Sequence, residues 1–241
     1  FEDVDQGDTV TVTASIGDIV QVGSQAGTWT WSYTPLDGPA DSQIVVITAT
    51  DGSGQTAGVS LELTARNVAP VVDAEPDLTV NEGDPVSFSG SFTDAGLLDT
   101  HSIEWDFGDG TTASGTLTPS HTYADDTQYT VTLTVTDDDG GVGTDTLLVT
   151  VGDVGPTAAF TWSPERLDEG SAASFVDASI SAPDAIVSWS WDFSGLATSG
   201  EQNPDFVFND NGTYEVSLTV TDDDGSTDTI IPTVTIRALA P

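Results

Sequence analysis

The side chains with the most capacity for chemistry are two runs of three carboxylates. Asp137, Asp138 and Asp139 lie in "TVTDDDGG" (Thr134–Gly141), and Asp222, Asp223 and Asp224 lie in "TVTDDDGS" (Thr219–Ser226). Each run sits where a strand-like segment meets a glycine turn, and such a turn needs one Asp or Asn, not three. Two unit charges ~4 Å apart repel by roughly 1 kcal/mol in water and by about 4 near a protein surface. Either a hard cation or full solvation must offset that repulsion. Catalysis finds no support. There is no cysteine, and His101 and His121 form no HExxH motif. No serine sits in a nucleophile elbow, and no glycine-rich loop opens a helix to cradle phosphate.

Composition narrows the partners. The chain of 241 residues has 3 Lys+Arg against 40 Asp+Glu, a formal charge of −37. Such a surface repels nucleic acid and anionic membranes, which need basic contacts. No apolar run is long enough for membrane insertion. At 37% hydrophobic with 6 Trp and 9 Phe, the chain can still bury cores. Acidity without cysteine mildly favours an exported protein stabilised by something other than disulfides. With no Met, Phe1 is not a translation start, so a processed product or a piece of a longer chain is expected.

Internal repeats organise the chain. "NVAP" (Asn67–Pro70), "DVGP" (Asp153–Pro156) and "ALAP" (Ala238–Pro241) mark junctions, and "IEWDFGDG" (Ile103–Gly110) returns as "WSWDFSG" (Trp189–Gly195). "QYTVTLTVTDDDG" (Gln128–Gly140) returns as "TYEVSLTVTDDDG" (Thr213–Gly225), and "IVVITATDGSG" (Ile44–Gly54) is a related ending. Three tandem units follow: 1–68, 69–153 and 154–241. Within them Tyr129, Val131, Leu133 and Val135 alternate with threonines, the period of a half-buried strand. Short strands between Gly, Asp, Asn and Pro turns, with no helical stretch, predict an all-β fold of three tandem immunoglobulin-like antiparallel β-sandwiches in an extended rod. At about 3.3 Å per residue, three units would span ~110 Å.

"WDFGDG", the later "SHTY" (Ser120–Tyr123) and "YTVTLTVTDDDGG" resemble the polycystic-kidney-disease (PKD) repeat, an Ig-like module of large bacterial and archaeal surface proteins, secreted enzymes and eukaryotic ectodomains. The second unit is similar to it over its whole length. The third departs at "WDFSG" and at "DFVFNDNGTY" (Asp205–Tyr214). The first shares the ending but lacks "WDFGDG", and is closer to bacterial Ig-like or cadherin-like repeats.

In an Ig-like sandwich the loop between the second and third strands and the final hairpin share the end that holds the domain's first residue. In unit two that pole gathers Asp94 and Asp99 with Asp137, Asp138 and Asp139. In unit three it gathers Asp177 and Asp184 with Asp222, Asp223 and Asp224. Four or more carboxylates beside a junction suit Ca²⁺, which takes six to eight oxygen ligands. The resemblance implies the same, since some PKD modules bind calcium at this pole. Unit one offers a diluted version in Asp3, Asp5 and Asp8 with Asp51. Solvated tips that protect sheet edges, or a salt-adapted surface, are the competing readings. The charge is mostly Asp gathered at turns rather than Glu spread over strand faces, which favours ligation. Asp106 and Asp109 lie toward the opposite pole, in turn-forming roles, and His121 is expected to be structural.

The tryptophans read as core. Trp105 and Trp191 occupy the third strand, Trp29 and Trp31 share one strand face, as do Trp189 and Trp191, and Trp162 is the one to check for exposure. "NGT" (Asn211–Thr213) fits a glycosylation sequon but reads better as a turn. Counting back from Pro70 leaves unit one without its first one or two strands. Upstream residues, or a strand donated by a neighbouring copy, would then fill the gap. The leading expectation is a non-catalytic structural segment of an extracellular or cell-surface protein, stalk or filament, stiffened by calcium at its junctions. The alternative is an accessory module of a secreted hydrolase that grips a polysaccharide, such as a surface glycan, or a fibrous protein.

Overall fold

The computed structural model describes residues 9–36 and 38–239, so Asp3, Asp5 and Asp8 of the expected ligand set lie outside the described residues. The described chain is strand and turn throughout, save one short 3-10 turn at Pro39–Asp41. Its buried apolar side chains fall into three separate clusters, one per repeat.

The second unit shows the plan. Gln128–Asp137 runs down the middle of a sheet, flanked by His101–Asp106 and Val142–Gly152, with Thr112–Ser114 on one edge and Leu78–Asn81 parallel on the other. The opposing layer pairs Pro85–Ser87 with Ser120–Thr122 and Ser91–Thr93 with Val71–Asp73. Alternation sends Tyr129, Val131, Leu133 and Val135 into the space between the layers. Trp105 packs there on Phe88 with ring centroids 5.5 Å apart, and its indole N–H donates to the Thr116 carbonyl at 3.2 Å. Trp191 repeats this in unit three, donating to the Glu201 carbonyl at 2.9 Å. A fully buried Trp stabilises only if its N–H is partnered, and both are.

The third unit departs where the sequence introduces Pro232. The unbroken final strand Val142–Gly152 of unit two becomes Thr227–Ile230 and Thr233–Arg237, because proline has no N–H for the ladder. Leu167–Asp168 still pairs parallel with the second piece.

In the first unit, Thr11–Ala14, Gln43–Thr50 and Thr56–Leu63 form a three-stranded sheet over the hairpin of Asp18–Val22 and Thr28–Ser32. Among the described residues nothing pairs with the outer edge of Thr56–Leu63, the edge that carries a parallel partner in the other two units. Val59, paired with the buried Ile47 on the inward face, is correspondingly exposed at 53%. At the opposite edge, along Thr11–Ala14, a side chain stands in for a strand. Gln21 Nε2 donates to the Val10 carbonyl at 2.6 Å, and Gln21 Oε1 accepts from the Val12 N–H at 2.9 Å, as a neighbouring strand would.

Candidate metal centres

Strand register explains why the acidic tips face inward. Asp137 continues the buried series 129, 131, 133, 135 and is 4% exposed; Asp222 continues 216, 218, 220 and is 1% exposed. Gly140 and Gly225 then close the hairpins at φ of 87° and 92°, a left-handed geometry that a side chain disfavours.

At the pole of unit two, ligand oxygens of Asp94, Asp99 and Asp137 lie within 4.8 Å of one another. Asp137 accepts from Asn67 Nδ2 at 3.0 and 2.9 Å, from the Asp139 N–H at 3.1 Å and from the Gly141 N–H at 2.7 Å. Asn67 belongs to the "NVAP" junction, so the linker itself is tied to the hairpin. Asp94 pairs with His101 Nε2 at 2.8 Å and accepts from the Gly96 N–H at 3.0 Å. Burial works against its ionisation, but these partners outweigh it and hold the carboxyl below the usual range. Asp138 and Asp139 stay out of the group. Asp138 accepts from the Thr100 N–H at 2.9 Å, which lowers its pKa, and the Asp139 carboxylate lies against Gly38 of the first unit.

At the pole of unit three the cluster has a different membership: Glu82, Asp153, Asp184 and Asp224, again within 4.8 Å. Only Asp184 and Asp224 belong to the expected set. Asp222 gives one oxygen to the Ser226 N–H at 2.7 Å and leaves the other buried without a hydrogen-bond partner. The cause is the linker residue. Asp153 stands in the repeat position of Asn67 and has no N–H to offer, so it takes the Ser226 hydroxyl instead. Burial first, then the charges of Glu82 and Asp223, push Asp184 up to about 6. Burial and then Asp184 and Asp126 push Asp224 to about 6. Burial likewise raises Glu82, although the Val154 N–H opposes it.

Three more residues of the expected set lie outside both acidic groups and have other partners. Asp177 is occupied by Trp189 Nε1 at 2.7 Å, Gln202 Nε2 at 3.1 Å and the Ser179 N–H at 3.0 Å, and does not reach the cluster. Asp223 caps the Ala185 N–H at 2.9 Å. Asp51 closes its own turn through Ser53 and Gln55, which lowers its pKa against the opposing effect of burial. Glu82 and Asp153 were missed. The repeat of "NEGD" (Asn81–Asp84) as "DEGS" (Asp168–Ser171), and of "NVAP" as "DVGP", was the available signal. At the far pole of unit two, Asp109 meets His121 Nε2 at 2.6 Å and accepts from Thr111, while His121 stacks on Phe107 at 4.3 Å. These are turn and packing roles.

The family model described as PKD domain matches residues 67–151 and 153–236. The chain belongs to the PKD-domain family, whose domains are non-catalytic modules. An 88-residue stretch, 36% of the chain, is 36% identical to the pre-pro-metalloprotease PrtV of Vibrio cholerae serotype O1 and spans 9% of that protein's length. Among solved structures, the PKD1 domain of Vibrio anguillarum Epp is 32% identical at a TM-score of 0.33, covering 36% of this chain and 98% of that one. The PKD1 domain of the Vibrio cholerae metalloprotease PrtV is 34% identical at 0.32, covering 35% and 99%.

Proposed function

We propose that this chain is a structural segment of an extracellular or cell-surface protein, stalk or filament, in which calcium at the junctions stiffens successive sandwiches. The observation that carries this reading is the gathering of carboxylates, partly buried, at each of the two linkers. Buried like charges destabilise a fold unless a counter-charge joins them, and oxygen-only donors suit a hard cation. The charge of −37, the lack of cysteine and the likeness to part of a pre-pro-metalloprotease support an extracellular setting. The edge of Thr56–Leu63, which has no partner among the described residues, supports completion of the first unit by a strand from upstream residues or from a neighbouring copy.

Thermal unfolding in EDTA against about 1 mM CaCl₂, with NaCl controls of equal ionic strength, tests the calcium reading. A rise in Tm of about ten degrees or more specific to calcium supports it. Equal effects of both salts sink it and leave a solvated acidic coat.

The second reading, an accessory module that grips a polysaccharide or fibrous protein for a hydrolase, is favoured by the match to a metalloprotease. The aromatics weaken it. None of the six Trp is exposed: Trp105 and Trp191 are fully buried, and Trp29, Trp31, Trp162 and Trp189 pack half-buried against their cores. Binding of the chain to insoluble polysaccharide in a pull-down would reinstate it.

A further inference from the structure

We propose that the calcium site at the second junction is shared between two sandwiches, with Glu82 of the second unit a direct ligand to an ion also held by Asp153, Asp184 and Asp224. This rests on the calcium reading above and goes further by assigning the ion to both domains at once.

Glu82 is the anomaly that carries it. It lies in the turn after Leu78–Asn81, is 2% exposed, and commits one carboxylate oxygen, Oε1, to the Val154 N–H at 2.7 Å. Its other oxygen, Oε2, is buried and receives no N–H or hydroxyl of the described residues; the side chain that the Glu82 carboxylate meets is the carboxyl of Asp184. A buried carboxylate with a vacant oxygen is costly unless a cation or donor meets it. The chain supplies its own control. Glu169 holds the same place in unit three, and Glu169 Oε1 accepts from the Leu239 N–H at 3.0 Å, the repeat of the Glu82–Val154 bond. There the second oxygen accepts from the Asn211 N–H at 3.0 Å, and nothing is left over. So the shared task of this glutamate is to hold the following linker, and Glu82 has a spare oxygen that Glu169 does not.

That oxygen belongs to a group of four acids. Asp184 also has a buried, unpartnered oxygen, Oδ2. The donor set is carboxylate throughout, which selects a hard divalent ion over zinc or copper. Its size suits Ca²⁺, which completes six to eight ligands with carbonyls and water, better than Mg²⁺, which keeps most of its water. Glu82 precedes the linker, Asp153 lies in it, and Asp184 and Asp224 follow it. An ion held by all four fixes one sandwich against the next. Gly83 already abuts Pro183 there: a Cβ on it would lie 3.2 Å from the proline ring.

Titration of the calcium-stripped full chain with CaCl₂, followed calorimetrically, tests the assignment. Glu82→Gln keeps an oxygen for the Val154 N–H and removes a buried charge, so its Tm in EDTA should equal or exceed that of the parent chain. It should lose one calcium site, with affinity there weakened at least about tenfold. Glu82→Asp retains the charge but withdraws it by one methylene; it should weaken the same site, and serves if Glu82→Gln does not fold. Calcium affinities and stoichiometry within about twofold of the parent in both variants would overturn the shared site while leaving calcium at the poles intact. A parent chain that binds no calcium would overturn both.

Discussion

At the first junction Asp137 takes two contacts from the amide of Asn67, and Asp94 takes one from the ring of His101. At the second, Asp153 stands at the repeat position of Asn67 and Ile186 at that of His101, while Asp177, the counterpart of Asp94 in the matching "FVD", is held by Trp189, Gln202 and Ser179. The same hairpin, with the same three aspartates, keeps the Ser226 N–H on Asp222 but lacks the Asn67 and His101 contacts, and it gains a carboxylate from the linker and another, Glu82, from the preceding domain. The electrostatic consequence is opposite in sign. Asp94 is held below the usual carboxylate range despite its burial, whereas burial and mutual repulsion raise Glu82 and push Asp184 and Asp224 up to about 6. The Asn67 and His101 contacts offset part of the charge at the first pole; at the second those contacts are absent, and Glu82, Asp184 and Asp222 each keep one buried oxygen to which no N–H or O–H of the described residues donates.

The largest effect that could break this contrast comes from paired substitutions at the buried aspartates. Asp137→Asn sets an amide against the donors that Asp137 now accepts from, and should destabilise the second unit by about 1–3 kcal/mol. Asp222→Asn, where one oxygen has no donor, should be neutral or stabilising in EDTA. Amide hydrogen exchange reads each sandwich separately; equal losses in both units would erase the distinction. Next in size, Asp153→Asn restores the Asn67 pattern at the second junction. Its Tm in EDTA should rise by a few degrees, a change of about 1 kcal/mol, and its response to calcium should shrink. A lower Tm in EDTA would show that the linker carboxylate serves some other contact.

A smaller effect follows from protonation. The folded chain holds Asp184 and Asp224 near 6, above their ordinary 3.8, so between those values it binds more protons than the unfolded chain. The stability of calcium-stripped protein should therefore rise as pH falls from 7 toward 5, an increment lost again as pH climbs through 6. Asp94, held low, contributes its stability above its ordinary value and loses it only in stronger acid. Exchange measured at pH 7 and 5 should show the gain in the third unit and around Glu82, and not at the pole that holds Asp94. Smallest of all, Asp177→Asn should leave calcium affinity unchanged within about twofold, since Trp189, Gln202 and Ser179 already occupy that carboxylate. A lost site would return Asp177 to the ligand set.

Much of the architecture was legible before any coordinates. Period-two alternation in "YTVTLTVT" and its repeat marks the central strands, because only one face of such a strand meets the opposing layer. The same alternation, carried two residues further, places Asp137 and Asp222 inside. The matching "WDF" segments locate the core tryptophans. The choice of poles was legible too, since Ig-like topology brings the loop after the second strand to the final hairpin.

Membership of each cluster was decided only by tertiary packing. Neighbouring aspartates in one tip point to opposite faces, so Asp138 and Asp223 cap backbone N–H groups while Asp137 and Asp222 turn inward. Asp177 is drawn to the indole of Trp189, 12 residues further along the chain. Glu82 meets Val154 across a separation of 72 residues, and of the acids that it joins, Asp153 lies in the linker and Asp184 and Asp224 in the next sandwich. Local pattern fixes which face a side chain occupies, because it depends on the backbone period alone. Which carboxylates share a charge problem depends on how one sandwich docks on the next, and no periodicity within either sandwich encodes that.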